Sequence, residues 1–400
     1  MDELQLPKLA AWVTDAGLAG ESETSLLTGF SERVVAAGVP LARSSVLIDT
    51  LHPIHEGRVF GWERDKDEIA PRDYGRTDGN VPDDRWRRSP FYRLLQTGES
   101  FLRRRLTAES DGEFSVFPEL RAAGMTDYTA MINRFAESGV IGHMDCVYSS
   151  WVTDAPGGFC DADLLGLQHL MPFLSLAVKS AALGRIAENL VETYLGRDAG
   201  RRVLKGGITR GVADRIDAVL WFSDLRGFTR ITDTAPEHVI PMLDDYFDAI
   251  VSAIHERGGD VLKLIGDGVL AIFTAEDRRQ ACLAALAAAK LAQQRVAVLN
   301  ERRFAEGVPT TDAYLGLHVG EVFYGNVGSK ARLDFTVIGP AVNEVSRIAA
   351  MCRSAEQPVL LSSAFVSALD DKKRFVSVGR FALRGVGRPQ ELFTIDPGAG

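Results

Sequence analysis

Runs of apolar residues separated by turn residues mark out strands and helices in the second half of the chain. Residues 219–222 are apolar without interruption, which predicts a buried strand. Helix-start residues follow, and apolar side chains then recur with helical spacing at Ile240, Leu243, Phe247 and Ile250. Asp224 therefore lies at the carboxyl end of a strand and just ahead of a helix, where backbone amides attract anions.

A second carboxylate is predicted to join Asp224. Residues 255–273 read HERGGDVLKLIGDGVLAIF, and their Gly-Asp-Gly turn between two apolar segments predicts a β-hairpin with Asp267 at its tip. Two carboxylates about 4 Å apart repel each other by roughly 4 kcal/mol at an effective dielectric near 20. Such a pair predicts bound magnesium or manganese ions that hold a triphosphate and activate a hydroxyl. Helix capping by Asp224 and turn formation by Asp267 are the alternative interpretations.

The alternation of helices and strands continues towards the carboxyl terminus. Residues 277–302 predict an alanine-rich helix, and the segment 313–329 predicts a second hairpin. A strand at 334–339 leads into a helix in which Asn343 and Arg347, four residues apart, share one face. An amide beside a guanidinium suits a nucleoside polyphosphate, and a solvated helix face is the alternative.

The first half of the chain has a different organisation. Residues 1–159 combine a helical opening with probable strands at 45–51 and 140–152 and an arginine-rich middle. The segment 161–205 is helical, with apolar residues spaced three, four or seven apart. This stripe predicts either a dimer seam or one amphipathic helix on its own domain. Its members are Leu176, Leu183, Ile186, Leu190 and Tyr194.

Composition narrows the class of protein. A length of 400 residues with 46% hydrophobic residues predicts two or three globular domains. The formal net charge of −9 argues against nucleic acid as a partner. The opening MDELQLPK lacks the features of a signal peptide, and the apolar tract at 164–178 is short and interrupted, so no membrane segment is expected. The four cysteines have no metal-ligand spacing, and we expect a cytoplasmic protein.

Four motifs in order resemble one known family. WFSDLRGFT, KLIGDG, VGEVFYGNVGS and FTVIGPAVNEVSR are similar to the catalytic domain of class III adenylate/guanylate cyclases, over roughly residues 214–396. The resemblance implies an α+β fold with a ferredoxin-like βαββαβ core. It also implies a homodimer whose active sites lie at the shared interface.

The resemblance assigns roles to residues of this chain. Asp224, Asp267 and the carbonyl of Leu225 would hold two Mg²⁺ or Mn²⁺ ions per active site. Asn343 and Arg347 of the opposite subunit would orient the ribose and stabilise charge on the phosphoryl group.

Base and phosphate contacts follow from the same match. Lys263 corresponds to the adenine-selecting lysine of the family and favours ATP over GTP. Its usual aspartate partner is replaced here by Thr336, whose hydroxyl can still accept from the adenine amino group. Triphosphate oxygens would be held by backbone amides and by one arginine of the closing segment, residues 374–395, which is predicted to form two strands. The residues concerned are Gly227, Phe228 and Thr229, with Arg384 or Arg388.

The predicted activity is conversion of ATP to 3′,5′-cyclic AMP and pyrophosphate. The alternatives are a guanylate cyclase, a diguanylate cyclase, prompted by the sequence Gly-Gly-Asp at 258–260, and a catalytically silent nucleotide-binding regulator.

The amino-terminal half is predicted to regulate this activity. Its end, FCDADLLGLQHLMPFLSLAVKSAAL, is similar to the closing helix of GAF-type sensor domains. The predicted organisation is a GAF-like α/β domain at 1–160, a helical dimerisation and transducer segment at 161–213, and the cyclase domain at 214–396. The arginines between 85 and 105 admit a small anionic ligand, with a solvated face as the alternative.

Overall fold

The chain divides into two compact units, Met1–Leu190 and Val191–Gly400. The computed structural model describes residues 5–67, 69–75, 84–136 and 140–396. The helices of the first part of the chain are α1 Leu6–Leu18, α2 Glu23–Ala36, α3 Asp84–Arg87, α4 Pro90–Thr97, α5 Phe117–Ala122 and α6 Asp161–Leu195. Its strands are β1 Arg43–Asp49, β2 His55–Glu63, β3 Arg72–Gly75, β4 Phe101–Arg105, β5 Asp127–Arg134 and β6 Cys146–Thr153.

The first unit is built on an antiparallel sheet with strand order β3-β2-β1-β6-β5-β4. Helices α1, α2 and α6 bury apolar side chains such as Phe30 and Leu170 against one core, which includes Trp151 of β6. Helices α4 and α5 pack on a second core around Phe117 and Tyr148. The strands predicted at 45–51 and 140–152 correspond to β1 and β6, each with a shifted start.

Helix α6 buries only part of the predicted stripe. Leu167, Leu174 and Val178 are fully buried in the core of the first unit, whereas Leu176 of the stripe is 69% exposed. The predicted stripe is therefore divided, because Ile186 is buried in the same core whereas Leu176 is exposed. The predicted linker at 161–213 is also divided, since its residues up to Leu190 belong to the first unit.

Two helices among the described residues, Asp161–Leu195 and Arg278–Ala305, are long and apolar enough to cross a membrane by length and composition alone. The first continues through Pro172, within the apolar tract at 164–178 that was expected to be interrupted. Core helices of soluble domains meet the same two criteria. Both helices contribute buried side chains to the cores of their units, as Leu167 and Ala285 illustrate.

The second unit contains the predicted βαββαβ order. Its helices are α7 Arg197–Leu204, α8 Phe228–Thr234, α9 Val239–Glu256, α10 Arg278–Ala305, α11 Pro340–Met351 and α12 Ser363–Ser367. Its strands are β7 Ala213–Leu225, β8 Asp260–Ile265, β9 Gly268–Phe273, β10 Ala313–Gly328, β11 Leu333–Ile338, β12 Val359–Ser362, β13 Phe375–Phe381 and β14 Gln390–Ile395.

The sheet of the second unit has the order β13-β14-β12-β10-β7-β9-β8, with β11 paired to β10. The strands β10, β7, β9 and β8 are antiparallel neighbours, and α9 and α10 connect them in the ferredoxin-like pattern. Alternate residues of β7 face opposite cores, because side chains alternate along a strand. Trp221 packs in the core that contains α9 and α10, and Leu220 packs in the core that contains α11.

Residues 313–329 form one long strand, β10, and not the predicted hairpin. Its glycines serve packing instead of turns. A Cβ on Gly316 would lie 2.7 Å from the backbone nitrogen of Ala349, and one on Gly320 would lie 2.6 Å from the Cβ of Ala341. These two positions therefore let helix α11 lie directly on the strand.

We expect Gly316→Ala to lower the free energy of unfolding by about 2 kcal/mol, because the new methyl group meets helix backbone that cannot rotate away. The matched control is Gly387→Ala, since no atom lies within 4 Å of a Cβ at that position. Chemical denaturation of both variants measures the difference. Equal stability of the two variants would contradict the proposed packing role.

Candidate active site

Asp224 lies one residue before the carboxyl end of β7 and on the strand face that also carries Leu220. Its side chain is half-buried, and its Oδ1 is a buried oxygen with no hydrogen-bond partner among the described residues. Burial raises the pKa of the Asp224 carboxyl to about 6, and the nearby Asp267 carboxylate adds to that shift. A buried acceptor of this kind is costly unless another group binds it.

Asp267 lies beside Asp224, as the sequence predicted. It occupies the two-residue turn between β8 and β9, where Ile265 pairs with Gly268. Gly266 takes a left-handed conformation with φ +62°, and Gly268 lies so close to β7 that a Cβ would be 3.1 Å from the Ser223 carbonyl. The Oδ2 of Asp267 accepts a hydrogen bond from the Leu225 amide at 3.1 Å.

These groups fit a divalent metal ion. Two carboxylates and nearby backbone carbonyls are the hard oxygen ligands that Mg²⁺ and Mn²⁺ prefer. The unpartnered Oδ1 of Asp224 is the observation that favours such an ion, because a cation would compensate both its burial and the like charge of Asp267. The described residues contain no cluster of three or more His, Cys, Asp or Glu side chains suited to a metal, so a site here depends on this pair and on backbone oxygens.

The predicted phosphate-binding residues follow directly after β7. Gly227 has φ +70° and precedes helix α8, which begins at Phe228. The side chain of Phe228 packs against the core, whereas Gly227 and Thr229 are exposed. The first amides of a helix have no intrahelical acceptor, so this turn presents donors to solvent next to the carboxylate pair.

Asn343 and Arg347 lie on α11, as predicted, but away from the carboxylates of the same chain. The carboxyl end of α11 is the end near Asp224, because a Cβ on Gly316, which pairs with Phe222 of β7, would lie 2.7 Å from the backbone nitrogen of Ala349. Asn343 is exposed and lies about 13 Å further along the helix axis than Cys352. No hydrogen bond or ion pair among the described residues joins Asn343 or Arg347 to the carboxylate pair.

The candidate arginines of the closing segment lie next to Arg347. Arg384 and Arg388 are both exposed and belong to the connection between β13 and β14. A Cβ on Gly385, between them, would lie 3.3 Å from the Nη2 of Arg347. This segment and α11 therefore share one surface, and their arginines concentrate positive charge there.

Comparison with known sequences shows which family model this part of the chain matches. Residues 212–396 match the family model of the adenylate and guanylate cyclase catalytic domain. The second unit contains a cyclase catalytic domain. The domain boundary predicted at 214 agrees with this match to within two residues.

Two relatives that are similar to this part of the chain are adenylate cyclases by name. Adenylate cyclase 1 of Rhizobium meliloti is 30% identical over 209 residues, which cover 50% of this chain and 31% of the relative. Adenylate cyclase of Anabaena cylindrica is 34% identical over 170 residues, covering 41% of this chain and 33% of the relative. The chain thus spans about a third of the length of the curated relatives it matches.

Among solved structures, the adenylyl cyclase CyaB from P. aeruginosa aligns with 46% of this chain and 96% of its own length. The TM-score is 0.43 and the sequence identity is 25%.

The sequence pattern did not single out Asp334, which lies beside Lys263 in the structure. Lys263 on β8 forms an ion pair with Asp334 on β11, and Thr336, the predicted partner of Lys263, lies two residues further along β11. The alternation of side chains along a strand was the available signal, since it places Asp334 and Thr336 on the same face.

Proposed function

We propose that the protein is an adenylate cyclase, which converts ATP to 3′,5′-cyclic AMP and pyrophosphate. The observation that carries the proposal is the unpartnered buried oxygen of Asp224 beside Asp267, in a segment that matches cyclase catalytic domains. Cations that bind such a pair of carboxylates compensate both their burial and their mutual repulsion. The names of the relatives from Rhizobium meliloti and Anabaena cylindrica favour ATP as the substrate.

In the proposed reaction the ribose 3′-hydroxyl attacks the α-phosphorus and pyrophosphate leaves. Asp224, Asp267 and the Leu225 carbonyl would hold two Mg²⁺ or Mn²⁺ ions, which when bound neutralise phosphate charge and lower the pKa of the hydroxyl. Asn343 would orient the ribose, and Arg347 would stabilise the charge that develops on the phosphoryl oxygens.

Two complete sites would form in a homodimer. Asn343 lies towards the end of α11 that is further from Asp224 in the same chain, so a second copy would supply it. An exposed apolar surface on β8, β10 and β11 supports such an interface, because burying it in a dimer removes apolar area from water. Its members are Leu264, Ile265, Phe323, Val327 and Ile338.

Lys263 is proposed to read the base, because its ammonium group favours the ring acceptor of adenine. Thr336 and Asp334, on the same face of β11, are the two candidate acceptors for the adenine amino group. A guanylate cyclase remains the alternative within the same family. The diguanylate alternative is disfavoured by the position of Asp260, which begins β8 at the end opposite Asp267. Gly259 before it has a packing role, since a Cβ there would lie 2.6 Å from the Phe273 ring. A catalytically silent regulator is the other alternative.

The first unit is proposed to regulate the cyclase as a GAF-like domain of a cytoplasmic protein. Its antiparallel sheet with helices on both faces supports a sensor role, and a small molecule is the proposed ligand. Leu165, Phe173 and Leu176 are exposed apolar side chains of α6 and would allow that helix to pair with a second copy.

The purified chain, incubated with ATP or GTP and either Mg²⁺ or Mn²⁺, tests the proposal. We expect chromatography to identify 3′,5′-cyclic AMP and pyrophosphate as the main products, with less product from GTP. Omission of both metals is the control and should abolish turnover. A dominant cyclic GMP product would select the guanylate alternative, and nucleotide binding without pyrophosphate release would select the silent regulator.

A further inference from the structure

An ion pair joins two strands at the proposed base-binding surface. The Nζ of Lys263 on β8 contacts the Oδ2 of Asp334 on β11. The two side chains are 33% and 46% exposed, so both remain reachable by a ligand. The ion pair restrains the ammonium group of Lys263, which would otherwise move freely at the end of a flexible four-carbon stem.

Asp334 and Thr336 differ in their access to a ligand. They lie two residues apart on one face of β11, opposite Val327 and Gly325 of β10. Thr336 is 9% exposed, and the side chain of Asp334 is 46% exposed. The carboxylate is therefore the more accessible acceptor beside Lys263.

The edge of adenine presents a ring acceptor next to an amino donor. An ammonium and a carboxylate held side by side match this pair, since one donates and the other accepts. Hydrogen bonds with a charged acceptor are also stronger than those with a neutral hydroxyl. We propose that Asp334 accepts from the 6-amino group of the base while it holds Lys263 against the ring nitrogen. This inference rests on the proposed nucleotide cyclase function.

Removal of the Asp334 carboxylate should change the KM for ATP in the direction opposite to that expected from net charge alone. Loss of one negative charge near a triphosphate should improve binding of the polyanion. Loss of a specific acceptor should instead weaken binding of ATP, by about 10-fold for one hydrogen bond to a charged group. The direction of the change in KM thus separates the two effects.

The experiment compares ATP with purine riboside 5′-triphosphate, which lacks the 6-amino group, in the full chain and in Asp334→Ala. We expect the wild type to show a KM about 10-fold higher for the analogue than for ATP. In Asp334→Ala the KM values for ATP and for the analogue should agree within about two-fold, because the acceptor for the 6-amino group is gone and any displacement of Lys263 affects both nucleotides alike. The kcat for ATP should change by less than about three-fold, because the base is remote from the reacting phosphorus.

Two further variants sharpen the comparison. Asp370→Ala removes an exposed carboxylate from an ion pair with Arg279 elsewhere in the same unit and should behave as wild type. Thr336→Val tests the threonine hydroxyl as the acceptor. An equal rise of both KM values in Asp334→Ala, or loss of the preference for ATP in Thr336→Val alone, would overturn the assignment.

A separate readout distinguishes failure of this inference from failure of the proposed function. Absence of any cyclic nucleotide from the wild type would count against the cyclase proposal. Calorimetric binding of ATP and of the analogue would still test Asp334, since the base contacts do not require turnover. Equal affinities of the wild type for both nucleotides would overturn the role of Asp334.

Discussion

Asp224→Asn is expected to reduce metal-dependent cyclase activity by at least about 10³-fold, because the amide removes one of the two anionic ligands of the proposed ions. The metal-free variant should at the same time be more stable than the wild type. The Oδ1 of Asp224 is buried without a partner beside Asp267, so removal of the charge relieves burial and repulsion together. We expect a gain of roughly 1–2 kcal/mol in the free energy of unfolding at pH 7.

Activity assays and denaturation in the presence of a chelator measure the two effects. Asp217→Asn is the matched control on the same strand, because Asp217 lies near the other end of β7 in an ion pair with Arg278. This control should retain activity and gain no stability. Substantial metal-dependent activity in Asp224→Asn would remove the basis of the proposed site.

Mixing two inactive variants is expected to restore activity. Asp224→Ala lacks a proposed metal ligand and Asn343→Ala lacks the proposed ribose contact, so each proposed homodimer would have two defective sites. In a mixed dimer one site combines the intact Asp224 of one subunit with the intact Asn343 of its partner. Random exchange of equal amounts should give about a quarter of wild-type activity, since half of the dimers carry one intact site of two.

The measurement is the rate of cyclic nucleotide formation after subunits are co-expressed or exchanged. The Asp224→Ala and Asp267→Ala pair is the control, since both changes affect the same half-site and no mixed dimer has an intact site. Recovery in neither mixture, although mixed dimers form, would mean that each chain builds its site alone.

Local patterns in the sequence were sufficient to predict the strand and the hairpin that carry the two carboxylates of the candidate site. The strand that ends near Asp224 and the hairpin with Asp267 at its tip follow from apolar runs and turn glycines within a few residues of each position. The structure confirmed both elements and brought the two side chains together. The structure also confirmed the predicted helix that carries Asn343 and Arg347, since helical preferences likewise act between near neighbours.

Predictions from the sequence failed where the role of a residue depends on residues that are distant in the chain. The segment 313–329 was predicted as a hairpin, but its Gly316 and Gly320 make room for α11 on an uninterrupted strand. Leu176 of the predicted stripe is exposed because the cores beside α6 select its neighbours. In these cases the packing partner is more than 15 residues away, and no local period identifies it.

Sequence alone determined the strand that ends near Asp224, the hairpin that carries Asp267 and the helix of Asn343 and Arg347, because strand, helix and turn preferences act between near neighbours. Only the tertiary structure decided that Oδ1 of Asp224 is buried without a partner and that Lys263 pairs with Asp334, 71 residues away. Burial and long-range pairing arise from the packing of whole elements against each other, so they depend on side chains that are distant in the chain.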